Sequence, residues 1–217
     1  MRTARGRRGF TPALALHALT PLYDRLASLM GFGEPFAARV AGALALRGDE
    51  SVLDVGCGTG IVLAALAARH PGARLTGIDA DPGMLERAAA RTALGIPLRL
   101  ILAYAQALPF RAGTFDAAVS TLIFHHLPTD VKRTALAEIA RVLKPGGGFL
   151  LADFGRPETA LQQVLLTAGS LFDGRANTRA NLSGMMPALL ADAGFTVSEV
   201  APRYRAVQFL RAVRPFP

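Results

Sequence analysis

The chain has no tryptophan, one cysteine and almost no lysine. With aromatics at only 7% of 217 residues, Ala, Leu and Val must fill the interior. That composition suits a sheet covered by Ala-rich helices better than a small all-β barrel. The lone Cys57 excludes an internal disulfide and any multi-thiol metal site. It fits a reducing compartment, so a cytoplasmic protein is expected. Long apolar runs are missing as well. No segment reaches the roughly 18 uninterrupted apolar residues that span a bilayer, so the chain reads as soluble or at most membrane-peripheral. Phe10 to Leu22, behind a basic start, resembles a secretory signal. Pro12, His17 and Pro21 interrupt it, and no clear small-residue cleavage site precedes Tyr23-Asp24-Arg25, so it reads as part of the mature protein.

What is present is globular. Just over half the residues are apolar and 18% are charged, in a length that suits one domain with a proper core. The net charge is +8 and nearly all of the positive side is arginine, with Arg2, Arg5, Arg7 and Arg8 in the first eight residues. Such an arm suits nucleic acid, anionic lipid or an acidic substrate. It equally suits a solvated terminus in a chain that prefers Arg to Lys throughout.

Strand-like and helical segments alternate, which signals βαβ units. Ser51 to Val55 is a β-rich run that stops at Gly56-Cys57-Gly58-Thr59-Gly60. Ile61 to His70 reads as a helix and Arg74 to Asp79 as a second strand. Asp81-Pro82 is an N-cap followed by proline at the first helical position, opening a helix to about Leu94. Strands are predicted over Leu98 to Ala103, Phe115 to Ser120 and Phe149 to Asp153. An amphipathic helix from Thr129 or Asp130 precedes the last of these and is broken by Pro145-Gly146-Gly147-Gly148. Beyond this the pattern is less regular. A helix over 185–193 and strands over 196–201 and 207–214 suggest an antiparallel edge on an otherwise parallel sheet. Pro12 to Leu46 reads as helical, placed over the ligand edge.

The central constellation is the strand Val52-Leu53-Asp54-Val55 feeding that glycine turn and then a helix. Glycines let the backbone turn sharply and approach a ligand where a Cβ would collide, and the helix start offers free N–H groups. A second strand ends in Asp79, nineteen residues after Gly60. A carboxylate there can accept from both ribose hydroxyls of an adenosine. The other reading of Asp79 is a cap for the next helix, but Asp81 is better placed for that.

Taken together, LDVGCGTG, GIDADPGML, ALPF, FDAAVSTLIFHHL and RVLKPGGGFLLADF, in order from about Ser51 to Phe154, resemble the class I S-adenosylmethionine-dependent methyltransferases. The resemblance implies a Rossmann-like α/β fold, a seven-stranded sheet ordered 3-2-1-4-5-7-6 with strand 7 antiparallel, and helices on both faces. It divides a single domain into an N-terminal helical lid (1–46), a cofactor-binding core (47–155) and substrate-side helices with the antiparallel edge (156–217). It implies that Gly56, Gly58 and Gly60, with Cys57 as a small filler, line the methionine end of the cofactor. Asp54 supports the loop and the ammonium group, Asp79 holds the ribose, and Ala80 and Met84 flank the adenine. Ser120, Thr121 and Leu122 close the pocket near the sulfonium. One departure stands out: Tyr104 occupies the place of an acid that usually accepts from the adenine amine. The Ala105 amide, the Tyr104 hydroxyl or Gln106 would have to serve instead. Losing one charge-assisted hydrogen bond costs on the order of 1–2 kcal/mol, roughly tenfold in affinity.

In-line transfer from a cationic sulfur needs alignment, exclusion of water and, for some acceptors, removal of a proton. No metal ligand set is evident in the sequence, and none is expected. Candidates on the substrate side are Tyr23, Asp24, His125 and His126, a histidine being a suitable base. The run Tyr23 to Gly33 is similar to the start of the ubiquinone and menaquinone C-methyltransferases, which implies a small lipophilic acceptor, lipid-tailed in those enzymes, and peripheral membrane contact. Phe124-His125-His126-Leu127 is instead typical of the broader small-molecule branch. A nicotinamide-dependent reductase would use GxGxxG spacing where this chain has GCGTG. A nucleic-acid partner lacks its stacking or recognition motifs, and a cofactor-binding protein without turnover remains the other alternative, motivated by Tyr104.

Overall fold

A computed structural model describes residues 27–92 and 98–216. Seven strands form one sheet in the order β3-β2-β1-β4-β5-β7-β6. They are β1 (Ser51–Val55), β2 (Arg74–Asp79), β3 (Leu98–Leu102), β4 (Phe115–Thr121), β5 (Leu143–Phe154), β6 (Thr196–Tyr204) and β7 (Val207–Val213). The first five run parallel, and β7 pairs antiparallel with both β5 and β6. Strands buried on both faces explain the near-continuous apolar runs of β1 and β4.

Helices cover both faces, and the alternation of side chains along a strand divides the core in two. Leu53 and Val55 join Leu136, Ile139 and Phe149 on one side, against α4 (Thr129–Val142) and α7 (Met186–Asp192). Val52 joins Phe36, Val40, Leu63 and Leu66 on the other, against α1 (Glu34–Ala43) and α2 (Ile61–Arg69). The third helix, α3 (Pro82–Thr92), runs between β2 and β3. Asp81 caps its start, accepting the Gly83 N–H at 2.8 Å.

Two features differ from the sequence expectation. The fifth strand starts at Leu143, six residues earlier than Phe149, because the Pro-Gly-Gly-Gly segment is a bulge within it. Phe115 pairs with Leu143 and Ala117 with Gly148, so extra residues of β5 oppose a short stretch of β4. Gly146 there adopts a positive φ of 75°, and a Cβ on Gly147 would lie 2.8 Å from the Lys144 carbonyl. Second, residues 160–182, read as irregular, form α5 (Ala160–Asp173) and α6 (Arg175–Leu182). A start signal was available: Thr159 accepts the Gln162 N–H at 3.2 Å while Gln162 accepts the Glu158 N–H at 2.9 Å, a variant of the capping box.

Gly60 joins the glycine turn to α2 with φ at 76°. A Cβ there would sit 3.1 Å from the Ala88 Cβ and 3.2 Å from its Cα, on the backbone of α3. Left-handed strain of 1–2 kcal/mol adds to that helix-on-helix collision. Gly60→Ala is therefore expected to lower stability by about 2 kcal/mol or more, read as a shifted urea midpoint. An unchanged midpoint would show that the turn has another conformation open to it.

Candidate active site

β1 and β4 are adjacent in the sheet but their connections leave in opposite directions, and a parallel sheet opens a crevice at such a reversal. Here the carboxyl ends of β1, β2, β3 and β4 border one cavity of about 170 Å³. The glycine turn forms its floor. Gly56 and Cys57 each donate an N–H to the Ile78 carbonyl at 2.9 Å, which ties the turn to β2. Gly56 and Gly58 have φ of 76° and 52°. Beside Gly56 a Cβ would strike Ile123 at 2.6 Å, whereas above Gly58 there is open space.

Asp79 ends β2 and links three pieces of the site. Its Oδ2 accepts the Gly58 N–H at 2.9 Å and its Oδ1 accepts the Asp81 N–H at 2.9 Å. Each oxygen keeps further acceptor capacity beside the cavity. Burial raises its carboxyl above the ordinary value, against the opposing pull of those backbone N–H groups. Ala80, Met84, Tyr104, Ala105 and Gln106 line the same end of the cavity, as do Cys57 and Gly58. Cys57 packs where a Cβ on Gly77 would lie 2.8 Å from its sulfur. Burial pushes its thiol well up, so it is no nucleophile at neutral pH.

Asp54 does not line the cavity. It lies behind the glycine turn, completely buried, with both carboxylate oxygens lacking a hydrogen-bond partner. Burial first, and then the Asp79 charge, push its carboxyl up to about 8. A buried carboxylate without donors is costly, and a cation brought next to it removes that cost. Gly60 and Ser120 also stand outside the lining. Gly60 packs on α3, and the Ser120 hydroxyl donates to the Val55 carbonyl at 2.8 Å, tying β4 to the end of β1. Thr121 and Leu122 do reach the cavity. Leu122 has a φ of 54°, in the region that non-glycine residues rarely occupy and that clusters at functional sites.

A short 3-10 turn, Phe124–His126, carries the two histidines. They have different surroundings. His125 is buried, its Nδ1 2.7 Å from Asp153 Oδ1. The other Asp153 oxygen accepts the Phe124 N–H at 2.7 Å. Burial would raise the Asp153 carboxyl, yet His125 and the backbone donors hold it below its ordinary value. His126 borders the cavity, and its Nδ1 is 3.3 Å from Asp173 Oδ1 at the end of α5. The Asp173 carboxyl is also held low by His126, against the effect of burial. The two imidazoles stack with centroids 4.0 Å apart. His125, His126 and Asp173 each bring a ligand-type atom to within 4.8 Å of the others, a donor set of the kind that holds a transition metal or passes a proton. Lys132 secures the turn from behind, donating to the Leu127 and Asn177 carbonyls at 2.5 and 2.6 Å. Burial pushes its ammonium down to about 8, although Asp153 opposes this.

Neither Asp153 nor Asp173 emerged from the sequence. Asp153 had a usable signal, a carboxylate at the carboxyl end of a buried parallel strand. Asp173 has none, because only the packing of α5 against the histidine turn brings it to His126. Tyr23 and Asp24 lie outside the described residues.

Phe32 and Phe36 bring the described N-terminal part to the cavity, and Phe32 also stacks edge-on with Phe154 at 6.0 Å. The lining also includes Ala27, and at the β4 side Leu122, Ile123 and Leu127 with the two phenyl rings and His126.

Residues 52–147 match the family described as a methyltransferase domain. The demethylmenaquinone methyltransferase of Thermus thermophilus is 33% identical over 212 residues, 88% of this chain and 93% of that protein. The ubiquinone/menaquinone biosynthesis C-methyltransferase of Syntrophotalea carbinolica is 37% identical over 147 residues, 66% of this chain and 61% of that protein. A solved S-adenosylmethionine-dependent methyltransferase from Aquifex aeolicus superposes with a TM-score of 0.70 at 21% identity, covering 90% of this chain and 96% of that one. The last likeness shows the fold, while the near full-length sequence match shows common descent. The glycine turn, the carboxylate that braces it and the orphaned acid behind it suit a cationic adenosyl donor, and the chain belongs to the class I S-adenosylmethionine-dependent methyltransferases.

Proposed function

We propose that this enzyme methylates a small lipophilic acceptor, a hydroxylated quinone-type ring bearing a lipid tail. The observation that carries the reading is the asymmetry of the cavity. The β2 and β3 side carries Asp79, Asp81, Tyr104 and Gln106 beside the glycine turn, and the β4 side carries Leu122, Ile123 and Leu127 with His126 and the two phenyl rings. Apolar walls favour an apolar acceptor and exclude water, which strengthens the few polar contacts inside. The name of the Thermus relative, a demethylmenaquinone methyltransferase, supports the same acceptor class.

S-adenosylmethionine, when bound, supplies a methyl group on a positively charged sulfur. The chain's own groups then have four tasks. Asp79 accepts from the ribose hydroxyls while it braces Gly58. Ala80 and Met84, which line the cavity, would flank the adenine, and Tyr104 or Gln106 would meet its amine in place of the missing acid. Asp54, unpartnered behind the turn, would offer its charge to the ammonium group. On the acceptor side His126 takes the ring proton, with Asp173 holding its Nδ1 and the buried His125–Asp153 pair fixing the turn beneath it. The seat of Tyr23 in the chain, upstream of Ala27 and Phe32, makes it a further candidate for the acceptor wall.

A methyl-labelled donor incubated with a reduced naphthoquinone carrying a short prenyl tail, and with the same ring without the tail, tests this. Label should enter the tailed ring with the higher kcat/KM. Transfer to neither ring, or preference for a polar thioester, would overturn the acceptor class. His126→Gln should cut kcat by about 100-fold, the usual scale of a general base, with donor affinity unchanged. Full turnover in that variant would assign the proton transfer elsewhere.

A further inference from the structure

We infer that α5, with the Leu29–Met30 segment beside it, is an interfacial surface that seats the enzyme on an anionic lipid bilayer. Residues 160–172 carry no charged side chain. Leu161, Val164, Leu165 and Leu171 follow helical spacing and are 60–68% exposed. Large side chains left in water along a helix that is uncharged until its last residue, Asp173, mark a contact surface. The stripe does not stand alone. Gln162 donates to the Arg205 carbonyl at 3.3 Å, and the Tyr204 hydroxyl donates to the Gly31 carbonyl at 2.9 Å. The Arg205 side chain packs directly on Gly31. Leu29 and Met30, 83% and 56% exposed, therefore continue the stripe around Arg205.

At its other end α5 reaches the cavity, where Asp173 meets His126. Its 14 residues span about 21 Å, so the apolar stripe runs from the Arg205 turn to the wall of the acceptor end. A bilayer fits this surface better than a second copy of the chain. The protein carries a net charge of +8, and Arg2, Arg5, Arg7 and Arg8 precede the patch in sequence. Those charges attract anionic headgroups and repel another copy. A dimer across the patch would also cover the side from which an apolar acceptor arrives, whereas a bilayer would supply that acceptor. The purpose of the surface rests on the lipid-tailed acceptor proposed above, but its test does not.

The test is co-sedimentation of the full chain with phosphatidylcholine vesicles, with and without 30% phosphatidylglycerol, in the absence of methyl donor and acceptor. Binding is expected to the anionic vesicles, to weaken in 0.5 M salt, and to fall at least tenfold in the double variant Leu161→Gln, Leu165→Gln. That variant alters no group in the cavity, so its donor affinity by calorimetry should match the parent and prove it folded. No sedimentation of the parent with anionic vesicles overturns the inference, as does equal binding by a folded double variant. Concentration-dependent dimers that the double variant abolishes, without vesicle binding, would assign the surface to a second copy instead. Failure of methyl transfer to a tailed ring, with vesicle binding intact, would sink the acceptor reading and leave this surface standing.

Discussion

Asp54→Asn should make the donor-free protein more resistant to unfolding while cutting its affinity for S-adenosylmethionine by at least tenfold. The two effects have one origin. In the folded chain the Asp54 carboxyl is orphaned and titrates near 8, whereas its ordinary value is 3.8. A carboxyl whose folded value is raised binds more protons folded than unfolded between those limits. Its contribution to stability is therefore complete below about pH 4 and is lost as pH rises towards 8, at roughly 1.4 kcal/mol per unit. Asparagine has nearly the same shape and no charge, so it abolishes that slope. The difference in unfolding free energy between the variant and the parent should thus grow from pH 5 to 8. Taking the difference cancels the histidines and Asp153, which are common to both proteins.

The same charge is what a bound ammonium group would meet. Donor binding at pH 7 should then release about one proton from the parent, because the protonated carboxyl must ionise to pair with the cation. Calorimetry in buffers of different ionisation enthalpy reads that number directly. Asp54→Asn should release fewer protons and bind at least tenfold more weakly. If the variant binds with parental affinity and parental proton release, Asp54 has no part in holding the donor.

The second large effect is expected from Asp79→Ala, which should weaken donor binding by about 10- to 100-fold, the scale of two charge-assisted hydrogen bonds. The structure adds a stability component. The Gly58 and Asp81 N–H groups both lose their acceptor, and leaving such donors unsatisfied costs about 1–3 kcal/mol when they are shielded from water. A fall in melting temperature is therefore expected alongside the lost affinity. Asp81→Ala separates the two contributions. It removes the cap of α3 at Gly83, with a cost of about 1 kcal/mol, and, because Asp81 borders the cavity without bracing the glycine turn, should cost less donor affinity than Asp79→Ala. Loss of stability without loss of affinity in Asp79→Ala would make that carboxylate a brace for the turn and nothing more.

Local chemistry made much of this legible. A β-rich run into GCGTG, an acid ending the next strand and Asp-Pro opening a helix are short-range signals, and each sits where expected. The alternation of strands and helices was enough for a parallel sheet with an antiparallel edge, because burial on both faces leaves apolar runs that side-chain identity reveals. Residues 160–182 are harder to read because the exposed apolar stripe of α5 has no charged face opposite it before Asp173, and α6 is a short polar segment. The bulge in β5 escaped because Pro-Gly-Gly-Gly reads as a break, whether or not the pairing resumes around it.

The amino-acid order by itself thus determined the glycine-turn end of the cavity: the turn, the brace and the orphaned acid come from residues within thirty positions of one another. Only the tertiary structure decided the end of the cavity around His126. It joined His126 to Asp173 across 47 positions, set Asp153 behind His125, and brought Phe32 and Phe36 from the N-terminal segment to the cavity wall, against Phe154, Tyr204 and Phe209. The reason is physical. Backbone conformation and capping act over a few residues, whereas a buried carboxylate finds its imidazole only when distant strands and helices pack together. No local pattern records that encounter.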